Sequence, residues 1–236
     1  MDTFVFDIET IGENFDVMDD MSKADLTKWI KKDCKSETEF ENRLLELKDG
    51  LGFSPLTGEI VAIGLYSCEG RKGVVYYQAP GEKFGEKEED DIQYKQMTEP
   101  EMLTKFWELA GKCEELVSFN GRSFDVPYLM LRSAIHKIRP SKDLMNGRYL
   151  YQQRLIPRHI DLYDQMTFYG AMNRKGSLHM FTRAFGIESP KSEEVNGNQV
   201  AKMFKEKRFL DIARYNAADI RATKKLYEYW NQYLRF

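Results

Sequence analysis

Over the first nine positions apolar and polar residues alternate. Phe4, Phe6 and Ile8 fall on one side and Val5, Asp7 and Glu9 on the other, which predicts a strand over 3–9. The alternation breaks over residues 11–52, a stretch dense in charges of both signs. There Ser22 is positioned to cap a helix carrying Leu26, Trp29 and Ile30, and a second helix carries Phe40, Leu44, Leu45 and Leu47 and stops at Gly50. The pattern reads as a helical insertion between two strands. Residues 60–66 (IVAIGLY) and 73–78 (GVVYYQ), joined by a turn at CEGRK, predict a hairpin.

Residues 80–97 are polar and acidic and read as a surface loop. Thr98 with Glu101 forms a capping box for a helix bearing Met102, Leu103, Phe106 and Trp107. A short buried strand is expected at 115–119 (ELVSF), then a helix from Val126 to Ile138 and a long loop over 139–158 holding Pro140, Gly147 and Pro157. A fifth strand follows at 159–163 (HIDLY), with a helix after it to Met172. Ser177 caps another helix, which ends at Gly186, and the last long helix runs from Phe209 to Trp230. Early strands followed by alternating strands and helices predict an α/β chain, a mixed five-stranded sheet flanked by helices, with residues 1–236 as one domain and no internal repeat.

Composition narrows the class. Of 236 residues, 42 % are hydrophobic, enough for a core, and 31 % are charged. The 35 basic and 38 acidic residues leave a net charge of −3, which argues against a clamp that grips duplex nucleic acid over the whole surface. Cys34, Cys68 and Cys113 have neither zinc-site spacing nor a disulfide framework, so reduced thiols in the cytoplasm are expected. No apolar run approaches the ~20 residues of a membrane span. No basic leader precedes an apolar stretch, so neither secretion nor membrane association is expected.

Three acidic segments carry the candidate chemistry. In Asp7-Ile8-Glu9 strand alternation puts both carboxylates on one face, where they repel unless a cation neutralises them. Oxygen-only ligands favour hard ions such as Mg²⁺ or Mn²⁺, although a solvated edge strand is the plainer reading of this segment alone. Asp125 closes the string Phe119-Asn120-Gly121-Arg122-Ser123-Phe124-Asp125, between a strand and a helix. A helix cap accounts for the aspartate but not for the whole string. Tyr215 and Asp219 stand four apart in the last helix and so share a face.

In this order, FDIET, FNGRSFDVPYL and YNAADI resemble the three motifs of the DEDD superfamily of 3′→5′ exonucleases, most closely the proofreading exonuclease of family-B DNA polymerases. The resemblance runs from residue 3 to about residue 230 and leaves no segment for a polymerase domain, so a free-standing enzyme is expected. It implies the RNase H-like fold. One branch of the superfamily carries His five residues before the last Asp, where this chain has Arg214; the other carries Tyr four before it, here Tyr215. The chain fits the tyrosine branch.

The resemblance implies two divalent ions, Mg²⁺ or Mn²⁺, held by Asp7, Glu9, Asp125 and Asp219, with Tyr215 orienting the attacking water. The product would be a nucleoside 5′-monophosphate. It also implies that Ile8 and Thr10 touch the terminal nucleotide and that Asn120 and Phe124 hold the penultimate one. Lys175 and His179, near the start of the helix at 177–185, are further candidates for a phosphate. Arg132, Lys137, Arg139, Lys142, Arg148, Arg154 and Arg158, with Tyr149 and Tyr151 among them, form the one locally basic stretch, either a guide for the strand or a solvated loop. Asp161 reads as a supporting acid or a strand-end polar residue, and His136 and His159 are given no chemistry. The expected partner is the 3′ end of a nucleic acid, single-stranded DNA before RNA. The alternatives are an RNA-trimming exoribonuclease, a non-catalytic nucleic-acid-binding module and an RNase H-like endonuclease.

Overall fold

Strand β1 (Thr3–Gly12) lies inside a mixed sheet, with a hydrogen-bonded partner along each edge. The computed structural model describes residues 2–173, 176–187 and 197–236, the side chains of 197 and 198 apart. β1 pairs antiparallel with β2 (Gly58–Ser67) and parallel with β6 (Glu115–Ser118), and β2 continues antiparallel to β3 (Lys72–Tyr77). Beyond β3 lie β5 (Ile92–Gln96), parallel to it, and β4 (Lys87–Glu89); beyond β6 lies β7 (Arg158–Asp161), also parallel. The order is β4-β5-β3-β2-β1-β6-β7.

Among the described residues the sheet therefore has seven strands, not five. The extra pair falls in the 80–97 stretch that composition marks as loop. Ile92 and Tyr94 alternate inward and are buried, so a polar edge hairpin with one apolar face hides in an acidic segment.

Two apolar layers cover the sheet. Phe6, Ile8, Ile60, Ile63 and Leu65 face α3 (Glu99–Ala110) and α4 (Asp125–Ile135), through Met102, Leu103, Phe106, Val126 and Leu129. Val5, Val61, Ala62 and Val75 face the long helix α8 (Phe209–Tyr233), through Ile212, Ala213, Ala217 and Ile220. A register shift between Glu9 and Thr10 leaves Val61 without a partner across the strand pair, so Val61 and Ala62 both turn to the α8 face.

Between β1 and β2 the expected insertion forms α1 (Asp20–Asp33) and α2 (Glu37–Gly50). Asp19, not Ser22, caps α1: its carboxylate accepts the Ser22 amide at 2.9 Å and the Ser22 hydroxyl at 2.6 Å. The neck of the insertion is tight. A Cβ on Gly12 would stand 2.8 Å from the Gly52 nitrogen, and one on Gly52 2.9 Å from the Gly12 nitrogen, so only glycines allow the two backbones to touch.

Three further boundaries differ from expectation. α4 ends at Ile135, not Ile138, because Lys137 takes a left-handed turn (φ 59°) and the Ile138 amide folds back to the Ser133 carbonyl. β7 ends at Asp161, which caps the five-residue α5 (Leu162–Met166); left-handed Phe168, Tyr169 and Gly170 stop it short of Met172. Helix α6 spans Leu178–Ala184. A helix absent from the sequence reading, α7 (Gly197–Lys205), buries Val200 and Met203 beside α8.

Candidate active site

Asp7 and Glu9 lie on the α8 face of β1, as the alternation requires. Helix α8 crosses that face and sets Tyr215 and Asp219 one turn apart above them. Carboxylate oxygens of Asp7, Glu9 and Asp219 all lie within 4.8 Å of one another. Asp125, the first residue of α4, is bound to the same strand: its Oδ1 accepts the Ile8 amide at 3.2 Å, between the two acids of β1. Elements 118 and 94 residues apart along the chain, β1 with α4 and α4 with α8, thus meet at one carboxylate cluster (125 − 7 and 219 − 125).

The electrostatics follow from crowding. Burial, then the charges of Asp125, Glu9 and Asp219, hold the Asp7 carboxyl well above its ordinary range, and a hydrogen bond from Asn216 partly offsets them. Asp7 is half-buried and keeps some accessible surface. Burial pushes Asp125 up to about 7. The Tyr215 phenol is raised above its ordinary value by burial first and then by the charges of Asp219, Glu9 and Asp7, so it stays protonated. A cluster that so disfavours its own ionisation, with oxygen donors alone, fits hard divalent cations.

Two residues that sequence reading missed complete the cluster. Asn216 is fully buried on α8, and its Nδ2 donates to Asp7 Oδ2 at 2.9 Å. Gly64 of β2 stands directly across from Asp7, and its missing side chain makes room for the Asn216 carboxamide. The available signal was a lone glycine inside an apolar strand, which marks close approach of another group.

The Phe119–Asp125 string is built as a turn held from below. Asp161 at the end of β7 accepts the backbone amides of Asn120 (2.8 Å), Arg122 (2.9 Å) and Tyr163 (2.9 Å). Asp161 is therefore the anchor of this turn. Asn120 sits in the left-handed region (φ 64°), and a Cβ at Gly121 would meet Ser118 Oγ at 2.2 Å. The Arg122 guanidinium donates to the carbonyls of Leu144, Met145 and Gly147, tying the 139–158 loop to the same turn.

A family described as a predicted 3′-5′ exonuclease related to the exonuclease domain of PolB matches residues 78–235, two thirds of the chain. The chain belongs to that family. The exonuclease-family match contains Asp125, Tyr215 and Asp219, while Asp7 and Glu9 lie before it; the fold alone brings those two to the others. No curated protein matches the chain. Among solved structures it is similar to the family B DNA polymerase of the hyperthermophilic archaeon Pyrobaculum calidifontis (TM-score 0.59, 17 % identity). That likeness covers 98 % of this chain and 24 % of the polymerase, so the chain spans about a quarter of that protein's length, and it establishes the RNase H-like exonuclease fold.

Of the other expected site residues in this exonuclease-family chain, Ile8, Thr10 and Phe124 line one cleft with Glu9. The Thr10 hydroxyl is engaged with the Gly52 carbonyl at 2.7 Å. His179 lies half-buried on the first turn of α6 and is not among the residues that line that cleft, and Lys175 lies outside the described residues. Arg214, at the position where the other branch has histidine, forms a two-pronged ion pair with Glu89 of the edge strand β4. In the basic stretch, Arg132, Arg148 and Arg158 are engaged with Glu99, Asp164 and Glu115 and serve the fold. His136 bonds Glu99 at 2.6 Å, and His159 is buried against Ser118 Oγ at 2.8 Å. Among the described residues no helix is long and apolar enough to cross a membrane.

Proposed function

We propose that the chain is a divalent-metal-dependent 3′→5′ exonuclease of the tyrosine branch, which releases nucleoside 5′-monophosphates from single-stranded DNA. The observation that carries this reading is the convergence of Asp7, Glu9 and Asp219 oxygens within 4.8 Å, with Asp125 tied to the strand between the first two. Bound Mg²⁺ or Mn²⁺ would neutralise these carboxylates and supply Lewis acidity to the attacking and leaving oxygens.

The protein's own groups do the positioning. Asn216 fixes the Asp7 carboxylate from α8, and the Ile8 amide fixes Asp125, so both acids are preorganised by partners that do not titrate. Tyr215 stays protonated and acts by hydrogen bonding, orienting the attacking water rather than accepting its proton. A net charge of −3, with three arginines of the basic stretch spent on ion pairs, favours a single strand threaded into a cleft over a gripped duplex.

The test is digestion of a 5′-labelled single-stranded DNA, with a matched RNA alongside, in Mg²⁺, Mn²⁺ and chelator. A ladder that shortens from the 3′ end in metal and stops in chelator is expected. Internal cuts, binding without cleavage, or hydrolysis in chelator would each overturn the reading.

A further inference from the structure

The helical insertion carries an aromatic ring to the edge of the acid cluster. Phe53, in the turn Leu51–Phe53 that closes the insertion, is 59 % exposed. Its ring lies 6.4 Å from that of Phe124, at 67°. Both rings line one cleft with Ile8, Glu9 and Thr10 of β1, and that cleft is partly open to solvent.

Single exposed phenylalanines are common on protein surfaces, but this one has a fixed backbone. The Tyr128 hydroxyl, on the α4 turn that follows Phe124, reaches the carbonyls on both sides of it, Gly52 at 3.1 Å and Ser54 at 3.3 Å. The Gly52 carbonyl also accepts the Thr10 hydroxyl at 2.7 Å, the Thr57 hydroxyl donates to Leu51 at 2.8 Å, and Gly12 and Gly52 pack backbone to backbone. None of these contacts uses the Phe53 side chain. The fold thus spends polar groups and two glycines on holding an apolar ring in water beside a carboxylate site. A preorganised ring loses little freedom on binding, which is what a recognition surface needs.

We propose that Phe53 and Phe124 form the two walls of a slot for a nucleobase at the substrate's 3′ end, an inference that rests on the nuclease reading above. The near-perpendicular rings make a corner, not a sandwich. A base lies flat on one ring with its edge against the other. The lining offers a phosphate no cationic side chain, because its charged members, Glu9 and Asp49, are both acidic. The insertion is then part of the substrate site, and its neck is rigid because the ring must keep its place relative to Glu9.

Phe53→Ala should raise the KM for a single-stranded oligonucleotide about tenfold at nearly constant kcat, the loss expected for one base–aromatic stack. Phe53→Trp should restore it. Oligonucleotides with 2-aminopurine at the last or next-to-last position, bound in chelator, should be quenched at one of the two by the wild type and not by Phe53→Ala. Thermal melting checks that the variant is folded. An unchanged KM and unchanged quenching would overturn the slot. So would a loss confined to kcat that Phe53→Trp does not repair. If the wild type fails to shorten any oligonucleotide, the nuclease reading itself falls, which is a separate result.

Discussion

Gly64 and Asn216 compete for one volume. A Cβ built on Gly64 would lie 2.0 Å from Asn216 Oδ1 and 3.0 Å from Ile220 Cγ2, so the strand can stand opposite Asp7 only if it carries no side chain there. Both sides of this contact are rigid: β2 is an interior strand and α8 is buried along this face. Gly64→Ala should therefore push the Asn216 carboxamide off Asp7 Oδ2, costing about 1–3 kcal/mol as overpacking and about ten- to a hundredfold in kcat as loss of a hydrogen bond that orients a metal-binding group. Asn216→Ala alone should lower kcat similarly with little change in KM. The double variant should lose less than the sum, because removing the carboxamide vacates the space the new methyl needs. Urea unfolding and steady-state kinetics on the four proteins measure the coupling, and strictly additive losses would show that the two residues do not act through one contact.

The parts legible in the sequence were those set by local periodicity. Strand alternation placed Asp7 and Glu9 together, the four-residue spacing placed Tyr215 over Asp219, and the capping box at Thr98 and Glu101 is formed as read. What escaped depends on partners distant in the chain. The hairpin of β4 and β5 is a strand pair only because β3 offers its edge, and α7 buries only two large apolar residues, Val200 and Met203. Asn216 reads as a polar residue on an amphipathic helix until Gly64 is seen to make room for it. Phe53 follows a helix stop and precedes a proline-containing turn, and nothing local says that its neighbours are held by Tyr128 from α4.

Divalent cations should stabilise the protein through the cluster. Without them Asp7, Glu9 and Asp219 face one another at short range and their ionisation opposes folding; with them the repulsion becomes attraction. Millimolar Mn²⁺ or Mg²⁺ should raise the Tm of the wild type by several degrees over chelator. The metal-free Asp7→Ala variant should melt at or above the wild type in chelator, gain no such shift from metal, and have no exonuclease activity. Differential scanning calorimetry in both conditions checks this, and a full metal shift in Asp7→Ala would remove that residue from the site.

Tyr215→Phe separates orientation from acid–base chemistry. The phenol stays protonated because burial and three carboxylates oppose its ionisation, so it contributes a hydrogen bond and not a proton acceptor. The variant should lose about ten- to a thousandfold in kcat, the range for a positioned group near the reacting atoms, with KM unchanged. A rise in KM with constant kcat would instead make Tyr215 a binding residue.

Glu99 is a structural pin. It is 3 % exposed, accepts two hydrogen bonds from the Arg132 guanidinium (2.9 and 2.7 Å) and one from the Ile60 amide (2.8 Å), and so ties α3 and α4 to the start of β2 beside the Val61 bulge. Glu99→Gln leaves Arg132 uncompensated in a poorly solvated place and should cost about 3–5 kcal/mol. Replacing both, as Glu99→Met with Arg132→Met, should cost less, because no lone charge remains and the residual loss is the acceptor taken from the Ile60 amide and His136. Denaturant unfolding of the single and double variants decides it, and a double variant as unstable as Glu99→Gln would show that shape, not charge, is what the pair supplies.

His159 should make stability depend on pH in a defined window. Its ring is buried between Ser118 Oγ (2.8 Å) and the Leu144 carbonyl (3.1 Å), against the Phe6 ring, with Arg122 and Asp164 the charged groups nearby. Burial, then the Arg122 charge, depress its pKa to about 3. In the unfolded chain the ring takes up a proton below about 6.5. The unfolded state therefore binds more protons between those two values, and stability conferred by the neutral ring is present above about 6.5 and is lost as pH falls toward 3, by at most about 1.4 kcal/mol per pH unit. The raised carboxyls of the active site titrate with the opposite sign over part of this range, so the informative quantity is a difference between proteins that share them. Unfolding free energies of wild type and His159→Asn at pH 4.5, 5.5, 6.5 and 7.5 should run parallel above about 6.5 and converge as pH falls below it, the variant lacking the His159 slope. Parallel curves over the whole range would mean that folding leaves the proton affinity of the ring unchanged.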